Sequence, residues 1–363
     1  MRARAGDAAA RLPGPTLLGH VHFLKGVLGE PYDALLELQR RYGPVCRFGF
    51  GDRRYVMLFG AQANRLLLSV SPKNPAFRSG EVLSLLVLVV GSRAMVVSEG
   101  DDHRRRRWLV QPAFSHRRIQ GYLPLMLQAS HRMIGGWPPG LRVNAFTEVR
   151  SCVRRIAVRS LFGDRLQAHV DEIGRELETA LRYINRSPFL RFDYDLPGSA
   201  HRRAAAACRR VDHCVCAEIA KRRTKPDDQG EVLDALLGAC DHAGDHLTDL
   251  EVRDQVISLI ASGYDSSSSA AGWAICALLR HPEIYDRVRH EVASIAGDGV
   301  LTADRLGAMR YVGWTVSEIL RLYTPGVLTG RTAAESFSYA GHVIPQGSKA
   351  LYSPYVTHRL PDL

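Results

Sequence analysis

The stretch from Thr248 to Arg280, TDLEVRDQVISLIASGYDSSSSAAGWAICALLR, limits the fold more than any other. It opens with a capping box: Thr248 can accept from the backbone N–H three residues on, and Glu251 can reach back. It closes at His281-Pro282, where the proline ring disfavours helix for the residue before it. Between these signals a helix of roughly 45–50 Å fits at the usual rise per residue. The first turns carry charge, at Asp249, Glu251, Arg253 and Asp254. From Val256 on, the stretch is apolar or small nearly all round, so a large domain must enclose it. At its centre, Ser262-Gly263-Tyr264-Asp265-Ser266 and the serines after it are poor helix-interior residues. A buried helix that breaks local rules at its middle marks a functional site there.

The rest of the chain supplies the enclosure. Its 363 residues are 46% hydrophobic and 23% charged, ordinary for a globular protein with a substantial core. A net charge of +11 favours acidic partners: an anionic protein surface, a membrane face or nucleic acid. The seven cysteines form no C-x-x-C pair, which argues against a disulfide framework or zinc ribbon and fits a reducing cytosol. MRARAGDAAARLPGP contains no apolar signal core, and the longest apolar run, Leu83–Val90, is too short to span a bilayer. A cytoplasmic location is expected, with a peripheral membrane contact left open.

In chain order, residues 1–15 read as a polar tail ending in Leu12-Pro13-Gly14-Pro15, ahead of one domain over 16–363. Pro31–Tyr42 is an amphipathic helix, Val45–Gly51 and Tyr55–Phe59 a hairpin, and Ala61–Leu68 another helix. Residues 79–99 are apolar without clear period, consistent with a buried strand or helix. Next comes His103-Arg104-Arg105-Arg106-Arg107, closely followed by Pro112-Ala113-Phe114. This run can be a solvated helix start, a phosphate-binding patch, or a place where His103 and Arg107, one turn apart, share a face. Residues 116–223 are mainly helical, interrupted by a loop at 187–198, and Lys225–Gly230 is a polar linker. Cys208, Cys214 and Cys216 on the helix before that linker read as core or surface thiols. Farther on, Trp314-Thr315-Val316-Ser317-Glu318-Ile319-Leu320-Arg321 places Glu318 and Arg321 three apart on one helix face, within apolar flanks that predict a buried pair. Arg331, Gly341–Gly347 and His358 follow, in strands around a Pro345-Gln346-Gly347 turn.

Taken together, these motifs resemble the cytochrome P450 family. Ser262–Ser266 is similar to the family's oxygen-activating motif, Glu318 and Arg321 to its Glu-x-x-Arg signature, and His103 with Arg107 to its propionate-binding helix. The resemblance implies a mainly α fold with a small β-sheet lobe. It also implies haem b as cofactor, O2 and an apolar small molecule as substrates, and a ferredoxin or flavoprotein as electron donor. On this resemblance Asp265 and Ser266 relay protons, and His103, Arg107 and Arg331 hold the haem propionates. The pair Glu318 and Arg321 is structural, residues 79–99 roof the substrate pocket, and Arg104, Arg105 and Arg106 face the electron donor.

The chain departs from the family in two ways. Serine stands at 266 where threonine is usual, keeping the hydroxyl but losing the methyl that fixes its rotamer. No cysteine lies in the Phe-x-x-Gly-x-x-x-Cys-x-Gly loop that supplies the axial thiolate; the last one, Cys276, sits in the long helix. The expectation is a C-terminally incomplete P450 fold, with no metal ligand of its own and no turnover from these residues alone. The alternative is an inactive fragment or a small-molecule-binding pseudoenzyme. A basic nucleic-acid binder is disfavoured, because no helix-turn-helix or aromatic-interleaved basic motif accompanies the charge.

Overall fold

Pairing between the two ends of the chain builds the β lobe. The computed structural model describes residues 12–16, 19, 20, 23, 31–49, 54–68, 77–78, 82–185, 195–225, 231–297 and 299–361. Strands β1 (Val45–Phe48), β2 (Tyr55–Leu58), β3 (Phe77–Arg78), β4 (Thr329–Ala333) and β7 (Lys349–Tyr352) form one sheet in the order β1-β2-β7-β4-β3. β2 runs parallel to β7 with Tyr55 opposite Lys349, and the other neighbours are antiparallel. Between β4 and β7, β5 (Phe337–Tyr339) and β6 (His342–Ile344) make a separate hairpin. Both expected N-terminal strands are present, shorter than the hydrophobic runs, and the turn at 51–53 lies outside the described residues.

Of the stretch read as a tail, Leu12 is buried in the sheet's core and the Pro13 carbonyl accepts from Arg47 N at 2.8 Å. Helix α1 (Pro31–Tyr42) and the one-turn helix Pro354–Thr357 cover the other side of the lobe. A second short helix, α2 (Ala61–Leu68), buries Ala63 and Leu67 against the sheet.

The main helices of the helical part are α3 (Gly100–Val110), α4 (Leu123–Gly135), α5 (Ala145–Phe162), α6 (Val170–Ile184), α7 (Ala200–Thr224), α8 (Val232–Gly238), α9 (Asp249–Arg280), α10 (Pro282–Ala296) and α11 (Arg310–Leu322), with shorter ones at His116–Gly121 and Ala303–Ala308. α9 is the predicted long helix. Its capping box is formed, with Glu251 N donating to Thr248 Oγ1 at 3.3 Å and Thr248 N to Glu251 Oε2 at 3.1 Å. Val252, Val256, Ile257, Ile260 and Tyr264 bury one face of α9 in the main core, which also takes residues from α5, α6, α7 and α8. All of the expected linker at 225–230 but Lys225, and most of the expected loop at 187–198, lie outside the described residues.

Residues 84–97 are neither a continuous strand nor a long helix. They form a 3-10 turn at Ser84–Leu86, one helical turn at Val87–Val90 and a second 3-10 turn at Met95–Val97. α9 holds this segment by side chain to backbone: Asp254 Oδ2 accepts from Arg93 N at 2.8 Å, and Gln255 Oε1 from Met95 N at 2.8 Å. Gln255 Nε2 also donates to Arg93 O at 2.7 Å. The approach is so close that Gly91, at φ +83°, leaves no room for a Cβ beside the Asp254 carboxylate.

Candidate functional site

Midway along α9 the buried face gives way to an open one. Ser262, Gly263 and Ser266 are exposed, and a Cβ built on Gly263 meets nothing within 4 Å. Ser266 Oγ donates to the Ser262 carbonyl at 2.9 Å, the local bond that a helical serine makes when nothing else is offered. That bond orients the hydroxyl along the helix and ties its position to the turn containing Gly263.

Asp265 lies beside this face, half-buried and turned toward α5. Arg150 Nη2 donates to Asp265 Oδ1 at 3.0 Å, and Arg150 Nη1 lies 3.0 Å from Glu178 of α6. The same guanidinium carbon sits 5.5 Å from the ring centre of Tyr264 and 5.8 Å from that of Phe146. Burial pushes the Tyr264 phenol above its ordinary value, opposed by the Arg150 charge. Arg150 was not among the residues singled out from the sequence, and Tyr264 was named only as part of the Ser262–Ser266 motif. Arg150 is one of many arginines on its helix, and only the fold brings it to Asp265.

His103 and Arg107 lie one turn apart on α3, His103 half-buried and Arg107 exposed. Burial, and then the neighbouring Arg107 charge, hold the His103 imidazole below its ordinary pKa, so it favours the neutral form. Arg331 sits on β4. Its Nη1 donates to the Gly330 carbonyl at 2.8 Å, while its Nε is buried without a hydrogen-bond partner. Among the described residues no ion pair ties Arg107 or Arg331 to a carboxylate, and no bond joins Arg331 to α3. The buried Arg331 Nε without a partner, and the Arg107 and His103 side chains, are donors of the kind that the carboxylates of a haem propionate accept from.

The other arginines of α3 are placed differently from expectation. Arg106 is buried, donating to Ser98 Oγ at 2.7 Å and to Glu251 at 3.3 Å. Arg105 donates to Asp241 at 2.6 Å and to the His246 carbonyl at 3.2 Å. Arg104 pairs with Asp101 on its own helix. Two of the three therefore fasten α3 to α9 and the turn before it, because the carboxylates brought there by the fold outcompete water for a buried guanidinium. Arg104 stays exposed on the helix surface.

Glu318 and Arg321 form the expected pair on α11, with bonds of 2.7 and 2.6 Å, and Arg321 Nη1 also donates to the His358 carbonyl at 2.9 Å. The pair is not buried, however: the two side chains are 55% and 43% exposed. Their face borders a groove of about 390 Å³ lined by Leu278, Trp314, Thr315, Ile319, Leu322 and Tyr323. Apolar flanks predicted burial there, but Trp314 is 66% exposed, since nothing among the described residues covers this side of α11. The pair still lowers the Glu318 pKa, chiefly through the hydrogen bonds from Arg321.

The cysteines are scattered. Cys46 lies in β1, Cys152 in α5, Cys208, Cys214 and Cys216 in α7, Cys240 after α8, and Cys276 in α9. Burial pushes Cys46 up to about 12 and Cys208 up to about 11, so both stay protonated at neutral pH.

Known proteins resemble this chain in sequence and fold. A sequence profile of the family described as Cytochrome P450 matches residues 12–363. A relative called "Putative cytochrome P450 139" from Mycobacterium tuberculosis is 40% identical over 337 residues, covering 93% of this chain and 77% of its own length. The "Cyclooctat-9-en-7-ol 5-monooxygenase" of Streptomyces melanosporofaciens is 30% identical, covering 99% of this chain and 76% of its own. Among solved structures, a retinoic acid-bound cyanobacterial CYP120A1 superposes with a TM-score of 0.85 at 25% identity, over 97% of this chain and 79% of that one. No helix among the described residues is long and apolar enough to cross a membrane. A mainly helical chain with a small sheet, its long helix opened at a Gly-x-Asp-Ser segment and matched by the family profile along almost its whole length, belongs to the cytochrome P450 family.

Proposed function

We propose that this chain forms the haem- and substrate-binding body of a P450 monooxygenase acting on an apolar small molecule, with O2 and a ferredoxin or flavoprotein electron donor. The observation that carries the reading is the open face at Ser262, Gly263 and Ser266 on an otherwise buried helix, in a fold that also carries uncommitted cationic donors at Arg107 and Arg331. Haem with a thiolate ligand supplies oxygen activation. This chain's residues have the other tasks. Arg331, Arg107 and neutral His103 donate to the propionates and fix the ring's orientation. Ser266 holds a hydroxyl at the open face and Asp265 a carboxylate one residue along the helix, and these are the two groups to which the reading assigns proton delivery. Arg150 holds the Asp265 carboxylate in place. The names of one relative, a cyclooctat-9-en-7-ol monooxygenase, and of one structural neighbour, a retinoic acid complex, support an apolar substrate.

None of the cysteines fits the axial position in this reading. Cys46 and Cys208 are held as buried thiols, and Cys276 lies on the same helix as the proton-relay pair. The 363 residues by themselves are accordingly proposed to bind haem without a thiolate and not to turn over.

Haem titration followed by visible absorbance tests the binding claim. One haem per chain is expected, with affinity weakened roughly tenfold or more by Arg331→Ala and by Arg107→Ala, the cost of one charged hydrogen bond. Absence of stoichiometric binding, or affinity indifferent to both substitutions and to His103→Ala, would sink the assignment.

A further inference from the structure

Away from the α9 face, the junction of α6 and α7 brings together three side chains of metal-binding type. His169, Glu172 and Cys214 each present one ligand atom, and these atoms all lie within 4.8 Å of one another. His169 ends the 3-10 turn Gln167–His169 and stands immediately before α6; Glu172 is three residues on, in the first turn of α6; Cys214 comes from the middle of α7. Two of the three already meet each other. The His169 ring caps no backbone N–H of α6; its Nδ1 instead lies 3.2 Å from Glu172 Oε2. Arg210, one turn before Cys214, donates to Glu176 at 2.6 Å. His169 is exposed, and Glu172 and Cys214 are half-buried, so an ion can enter and the side chains can adjust.

We propose that His169, Glu172 and Cys214 form a zinc site that staples the start of α6 to α7, unrelated to the haem. The donor set selects the metal. A thiolate, an imidazole and a carboxylate suit Zn2+, whereas Ca2+ and Mg2+ take oxygen ligands and avoid sulfur. Tetrahedral Zn2+ needs ligand atoms about 2.0–2.3 Å from the metal, which an inward rotamer adjustment from the present spacing reaches. Binding takes Cys214 as thiolate and releases its proton to solvent. The two charges of the metal are then cancelled by the thiolate and the Glu172 carboxylate. A water fills the fourth position. Because His169 precedes α6 and Cys214 belongs to α7, the bound ion fixes the helix pair without touching the α9 face.

The experiment is metal binding to the full chain, measured by competition with a chromogenic zinc chelator and by cobalt substitution. One zinc per chain is expected. Co2+ is expected to give a thiolate-to-metal charge-transfer band in the near ultraviolet. Cys214→Ser should abolish that band and weaken zinc binding by at least about tenfold, the smallest loss typical of even an outer partner of a metal site. His169→Ala and Glu172→Gln should weaken binding comparably. Cys216→Ser, two residues along the same helix and not among the three, should leave both readouts intact and serves as the folding control. Zinc should raise the melting temperature of the wild type and not that of Cys214→Ser. No stoichiometric zinc, a cobalt complex without the thiolate band, or binding unchanged by Cys214→Ser would each overturn the proposal.

Discussion

Arg150 Nη2 and Asp265 Oδ1, 115 positions apart in the chain, meet at 3.0 Å across the contact between α5 and α9. The bond turns a carboxylate in the middle of the long helix toward one particular neighbour, leaving Ser266 on the open side. Glu178 shares the guanidinium, and Tyr264 and Phe146 flank it, so Arg150 is over-determined in position and Asp265 is positioned by it. Replacing Arg150 with Met leaves two carboxylates without their shared cation. A loss of about 2 kcal/mol in urea unfolding is expected, in the range of a lost buried hydrogen-bonded charge. A double-mutant cycle with Asp265→Asn should give a coupling of about 0.5–1 kcal/mol, kept small because Asp265 is 39% exposed. A coupling near zero would mean that the pair has no positional role.

His103 gives the apoprotein a pH signature. Its folded pKa is lowered from the ordinary 6.5, by burial first and Arg107 second, so the unfolded chain binds more protons than the folded one near that pH. The stability from the neutral ring is fully present above 6.5 and is lost as pH falls from there through the lowered folded value. Melting temperatures measured from pH 8 to pH 5 should drop in this window. His103→Gln should flatten that part of the profile.

Gly91 is the place where the 84–97 segment meets α9 most closely. Alanine there is opposed twice, by the positive φ and by overlap with the Asp254 carboxylate. Gly91→Ala should cost at least about 2 kcal/mol, and limited proteolysis should begin within 91–97 as the bonds to Arg93 N and Met95 N are lost. Wild-type resistance in the mutant would mean that α9 holds the segment by some other contact.

The axial ligand has an optical test. Purified chain of these 363 residues, reconstituted with haemin, reduced and exposed to carbon monoxide, should lack the red-shifted band of a thiolate-ligated haem. Appearance of that band would show that one of its seven cysteines reaches the iron.

What the sequence made legible was what local rules control. The capping box at Thr248, the stop at His281-Pro282, the Glu318–Arg321 pair and the strands around β4 and β7 all depend on neighbours a few residues away, and all are found. The fates of the arginines were not legible. Arg105, Arg106 and Arg150 find their carboxylates 136, 145 and 115 positions away, and nothing in a basic run says which guanidinium will be buried. Exposure of Glu318 and Arg321 was misread for a related reason: apolar flanks show that a helix can be covered, while coverage depends on what the fold sets against it.

The sheet order β1-β2-β7-β4-β3 has a consequence for how the chain reaches this state. The parallel register of Tyr55 with Lys349 joins strands from opposite ends, so the central pair of the sheet cannot form until a ribosome has delivered nearly everything between them. Until then the β1–β2 hairpin carries a bare edge at β2, the kind of surface that recruits other chains. Such long-range closure is slow, and the lobe is expected to be the last part to mature. Refolding yield should therefore depend on protein concentration far more steeply than the helical core would suggest.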